Sequence, residues 1–107
     1  MIKDLEKHKN SIVESYELAE IKDSSKRFEK EIKINQNLTV LIEKPIDCKI
    51  PEIWLIFSNS EFNFSGYQTD FENKRPEIYE FFKGLFGNMF FYCEPYDKED
   101  KYIWIGH

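Results

Sequence analysis

Glycine, proline, cysteine and arginine are all scarce in this chain: 4, 4, 2 and 2 residues out of 107. The four glycines, Gly66, Gly84, Gly87 and Gly106, form neither GxGxxG nor GxxxxGK, so no phosphate-cradling loop is encoded. Cys48 and Cys93 stand in no CxxC or other ligand spacing, and two such thiols in a chain without an export signal read as reduced, half-buried apolar residues. His8 and His107 sit at opposite ends, neither with a partner three or four residues away. That spacing supplies no zinc set and no base beside a Ser or Cys nucleophile, and a GxSxG elbow is missing as well. Hydrophobic runs are short too. None approaches the ~20 apolar residues that cross a bilayer, and Met1-Ile2-Lys3-Asp4-Leu5-Glu6-Lys7 is charged throughout, unlike a basic then apolar export signal. These absences argue for the cytoplasm and against membranes, metals and cofactors.

What remains is the make-up of an ordinary folded chain. With 33% charged and 41% hydrophobic residues in 13.0 kDa, the sequence is expected to form a single α+β domain over residues 1–107, large enough to fold without disulfides or metal. Charge is held unevenly. Up to Ile53 there are 11 acidic and 10 basic residues; beyond it there are 9 and 5, which accounts for most of the net charge of -5. An acidic surface repels phosphate backbones and attracts basic proteins, so nucleic acid is disfavoured as a partner and a basic protein favoured.

The acidic half is also the aromatic half. Of 18 Phe, Tyr and Trp residues, 16 lie between Trp54 and Trp104, with only Tyr16 and Phe28 outside. Rings bury large areas at low side-chain entropy cost, and those left at the surface form a platform for a partner.

Periodicity places the elements. Leu5, Ile12, Val13, Tyr16 and Ala19 fall at helical spacing within one unbroken stretch from Lys3 to Glu20. After Asp23-Ser24-Ser25, the residues Phe28, Ile32 and Ile34 alternate with charges as in a strand, with a short helix capped by Ser24 or Ser25 as the competing reading of residues 24–34. Asn35-Gln36-Asn37 then turns the chain into Leu38–Ile42, completing a hairpin. A second hairpin is expected from Ile53–Phe57, an apolar run suited to burial on both faces, and the alternating Phe62–Ser65. Pro76 opens the clearest helix, with Ile78, Phe81, Phe82, Leu85 and Phe86 on one stripe and Gly87 as its stop. Met89–Cys93 and Tyr102–Ile105 close the chain as two strands joined by an acidic loop. The expected fold is thus an antiparallel sheet of about six strands, packed by an N-terminal helix and one internal amphipathic helix, in the order α-β-β-β-β-α-β-β.

No catalytic constellation stands out. Glu94 with Asp97, or Asp70 with Glu72, could form acid–base pairs, but twenty carboxylates make such pairs abundant by chance. Asp97-Lys98-Glu99-Asp100 lacks the alternating ligands, central Gly and distal Glu of a calcium loop. Phe90, Tyr92, Tyr102 and Trp104 suggest an RNA-stacking sheet, yet such sheets have basic flanks and this hairpin carries Glu94, Asp97, Glu99 and Asp100. The residues best suited to meet a basic protein are Glu94, Tyr96, Asp97, Glu99 and Asp100, with Asp70 and Glu72 ahead of the Pro76 helix. There a ring would supply buried area, and carboxylates would supply register and association rate.

In general character the chain resembles the small immunity proteins of bacterial contact-dependent inhibition and polymorphic toxin systems: acidic, aromatic-cored, one domain, without a reactive site. Its 13 Lys against 2 Arg suit an AT-rich bacterial coding sequence. The resemblance implies a cognate toxin as partner, often a nuclease, whose basic active-site cleft is covered by acidic side chains in the places of substrate phosphates; no residue would be catalytic. A non-catalytic intracellular adaptor or regulatory domain, binding another protein through its leftover aromatic face, is the alternative, and a small hydrolase or transferase using carboxylates or Cys93 ranks last.

Overall fold

Three sequence-adjacent antiparallel pairings, joined by one long-range pairing of β3 with β5, organise the chain. The computed structural model describes residues 2–58, 68–87, 90–95 and 101–106, and the elements run α1 (Ile2–Lys7), α2 (Lys9–Ile21), β1 (Phe28–Lys33), β2 (Leu38–Lys44), β3 (Glu52–Phe57), α3 (Gln68–Lys74), α4 (Pro76–Phe86), β4 (Phe90–Pro95) and β5 (Lys101–Gly106). The strands make one sheet in the order β1-β2-β3-β5-β4, each antiparallel to its neighbour. β3 and β4 therefore run parallel with β5 between them, and the α3–α4 pair lies in the crossover, a split β-α-β arrangement.

Side-chain alternation decides which face is covered. Along β2 the residues Leu38, Val40, Ile42 and Lys44 are buried, and along β3 Ile53, Leu55 and Phe57, while the residues between them are half-buried. Ile32 of β1 and Ile105 of β5 join the same face by register. Against it pack Leu5, Ile12, Tyr16 and Ala19 from α1 and α2, Phe71 from α3, and Ile78, Tyr79 and Phe82 from α4. Burying each large apolar side chain stabilises the fold by about 1.5–3 kcal/mol before conformational entropy is subtracted.

Local chemistry fixes the connections. Asn35 Oδ1 accepts the backbone N–H groups of Asn37 (2.8 Å) and Leu38 (3.0 Å), an Asx turn between β1 and β2. Its Nδ2 donates to Asp4 Oδ2 of α1 at 3.1 Å, tying the helical layer to the hairpin tip. Lys44 is buried at the far end of β2, where its Nζ donates to the Lys22 carbonyl just past α2. A cation at a helix C-terminus satisfies an orphan carbonyl and complements the helix dipole. Gly87 closes α4 at φ 75 and ψ -140, territory that residues with a Cβ rarely enter, while its N–H reaches Lys83 O at 2.8 Å.

The expected order α-β-β-β-β-α-β-β and sheet of about six strands are corrected: the described residues form five strands and four helices. The N-terminal helix is broken at His8, whose Nδ1 donates to the Asp4 carbonyl at 2.8 Å and so ends α1 before α2 begins. Residues 28–33 are a strand, since all six pair with β2. β3 pairs antiparallel with the preceding strand β2 and with the last strand β5. It lies between β2 and β5, with Ile53, Leu55 and Phe57 buried on the face that meets the helices and Trp54 and Ile56 half-buried on the other. The strand expected at Phe62–Ser65 lies outside the described residues. Asp70-Phe71-Glu72, expected to precede the internal helix, instead forms the middle of α3, because Phe71 at that position is fully buried beneath the helix.

Candidate partner-binding surface

The two faces of the sheet are chemically unlike. Among the described residues the helices share a core with one face; on the other, residues that oppose one another across the strands fall into three rows. The first row is Glu29, Glu43 and Glu52 on β1, β2 and β3. The second is Glu31, Leu41 and Trp54, which continues in backbone register to Trp104 and Tyr92. The third is Lys33, Thr39 and Ile56, which continues in register to Tyr102 and Glu94. Leu41, Trp54 and Ile56 take no part in the core described above.

Three carboxylates stand side by side in the first row. Directly opposed residues on antiparallel strands hold their Cβ atoms about 4.5–5.5 Å apart, and like charges so placed repel. Arg27 Nη2 relieves one end by donating to Glu29 Oε2 at 2.5 Å, but that pair is solvent-exposed and contributes little. Glu43 stays between two carboxylates. Such a row concentrates negative potential beside an apolar strip, where a cationic protein surface could neutralise the charge and cover the rings. Among the described residues no three of His, Cys, Asp and Glu are grouped to hold a metal ion.

The residues expected to bind a partner are not gathered into one patch. Asp70 and Glu72 are half-buried on α3, and Asp70 Oδ2 is paired with Lys74 Nζ at 3.3 Å one turn on. Part of the Asp70 charge is thus already answered within the helix. Glu94 lies on β4 in the row of Ile56, at the side of the sheet away from β1. Tyr96, Asp97, Glu99 and Asp100 lie outside the described residues. The row of Glu29, Glu43 and Glu52 escaped the sequence reading, although the Asn35 turn fixes the opposition of Glu29 and Glu43 once the hairpin is accepted. The seven-residue connection from Lys44 to Glu52 carries no comparable signal.

No helix among the described residues is long and apolar enough to cross a membrane. Compared with protein families, with curated proteins and with solved structures, the chain matches none.

Proposed function

We propose that this chain is an immunity protein of the cytoplasm that binds a basic bacterial toxin domain, a nuclease by its charge, and covers the toxin's active-site cleft. The observation that carries this reading is the Glu29–Glu43–Glu52 row set beside Leu41 and Trp54 on the sheet face that the helical core leaves aside. Carboxylates at strand spacing stand in for the phosphates a nuclease cleft is built to receive. The neighbouring apolar strip supplies the desolvated centre that turns charge steering into lasting contact. Glu94 extends the face in register, and the acidic residues from Tyr96 to Asp100 follow it directly in sequence. The whole works by occupation of a surface, with no bond made or broken.

The test is co-expression of the coding region immediately upstream, with and without this chain, scored by cell survival and co-purification. Rescue with a one-to-one complex, lost on reversing Glu43 and Glu52 to Lys together, is the expected result. A complex without rescue overturns neutralisation in favour of an adaptor. Rescue untouched by the reversals overturns the sheet face as the interface.

A further inference from the structure

Between α2 and α4 there is a groove of about 320 Å³ lined by Val13, Tyr16, Glu17, Glu20, Leu85 and Phe86. Its floor is apolar and aromatic, with the Tyr16 and Phe86 ring centroids 4.7 Å apart and tilted by 45°. Its rim is anionic: Glu17 and Glu20 are both exposed and, three residues apart, share one side of α2. Burial first and then the negative charge of Glu20 hold the Tyr16 hydroxyl above the ordinary tyrosine range. Lys83, the α4 cation one turn before Phe86, is held over the Tyr79 ring at 5.7 Å. One turn beyond Glu17 on α2, Ile21 is 80% exposed.

We propose that this groove receives an arginine side chain of a protein partner. A planar guanidinium can lie against aromatic rings while its fork of N–H groups meets carboxylates, and its three-carbon stem suits a floor of Val13 and Leu85. The source is a protein, not the free amino acid: free arginine carries the same net charge as an arginine residue but leaves the exposed Ile21 uncovered, whereas a neighbouring apolar residue of a protein covers it. The groove belongs to the helices packed on the opposite side of the sheet from Trp54, so it does not depend on the toxin-binding reading.

The experiment is an NMR titration of the intact chain with N-acetyl-arginyl-leucine amide (the arginine amide), with free arginine and N-acetyl-glutaminyl-leucine amide (the glutamine amide) as comparison probes. Saturable shifts at Val13, Tyr16, Glu17, Glu20 and Phe86 are expected with the arginine amide, weaker ones with free arginine, and none with the glutamine amide. Joint replacement Glu17→Gln and Glu20→Gln, at exposed positions where folding is retained, should weaken binding roughly tenfold. Shifts that persist unchanged in the double variant, that free arginine produces as well as the amide does, or that appear only on the sheet face would each overturn the proposal. Failure at the groove with the sheet face still binding a basic toxin would leave the function above intact, so the two readings fall separately.

Discussion

Glu43 and Glu52 oppose each other across β2 and β3, with Glu29 on the other side of Glu43, so one carboxylate is flanked by two at strand spacing. Like charges opposed at this spacing repel. Replacing Glu43 by Thr, a good strand former, is expected to raise stability by about 0.2–1 kcal/mol in urea unfolding. Added salt should stabilise the parent chain more than the variant, because screening relieves the same repulsion. Under the proposed function the same substitution should weaken binding of the toxin domain, and stability and affinity moving in opposite directions is the mark of a contact residue.

At the buried end of β2, Lys44 holds the chain past α2 through the Lys22 carbonyl. Lys44→Met keeps most of the volume and loses the charged hydrogen bond and the dipole partner, so a loss of about 1.5–3 kcal/mol is expected. Thermal unfolding measures the loss, and faster amide exchange at Lys22 would locate it.

Asn35 predicts both a stability and a pH effect. Asn35→Ala removes the two turn hydrogen bonds to Asn37 and Leu38, a loss of about 1 kcal/mol. Asp4 is held below the ordinary carboxylate range first by its hydrogen bond from Asn35; desolvation opposes this, and the charges of Lys7 and His8 add to it. Asp23 is lowered chiefly by the Ser25 backbone N–H. With folded values below unfolded ones, the unfolded chain takes up more protons as pH falls. This contribution is therefore complete above about 3.9, the unfolded value, and is lost as pH drops through the lower folded values. Asn35→Ala should bring Asp4 back up toward the ordinary range and soften the acid limb, read by NMR titration of the Asp4 carboxyl group. An unmoved Asp4 would show that the helix-to-turn bond is not formed in solution.

These effects mark how far the sequence could be read. The Pro76 stripe and the Gly87 stop were legible because Pro, helical spacing and glycine each act locally, and the structure places α4 at Pro76–Phe86. The Asn35 turn was legible for the same reason. The sheet order was not, since the pairing of β3 with β5 joins Trp54 to Trp104 across fifty residues and nothing near either one announces it. Tyr79 shows a smaller omission: it lies beside the stripe, yet it is buried because its ring meets Phe71 edge-on at 6.1 Å and its hydroxyl accepts from Gln68 Nε2 at 2.9 Å. The carboxylate row combines both cases, one step local and the next not.

Phe71 separates structure from recognition within Asp70-Phe71-Glu72. Its ring is fully buried against Tyr79, so Phe71→Ala should cost about 3–5 kcal/mol and loosen α3 from the core. Asp70→Ala removes only the one-turn pair with Lys74, about 0.2–0.5 kcal/mol. If recognition runs through the sheet face, Asp70→Ala and Glu72→Ala should leave toxin affinity within about twofold by calorimetry, as changes remote from a binding centre do, while Trp54→Ala weakens it by at least about tenfold. The reverse ranking would move the interface to α3 and make the Glu29–Glu43–Glu52 row a feature of the free surface.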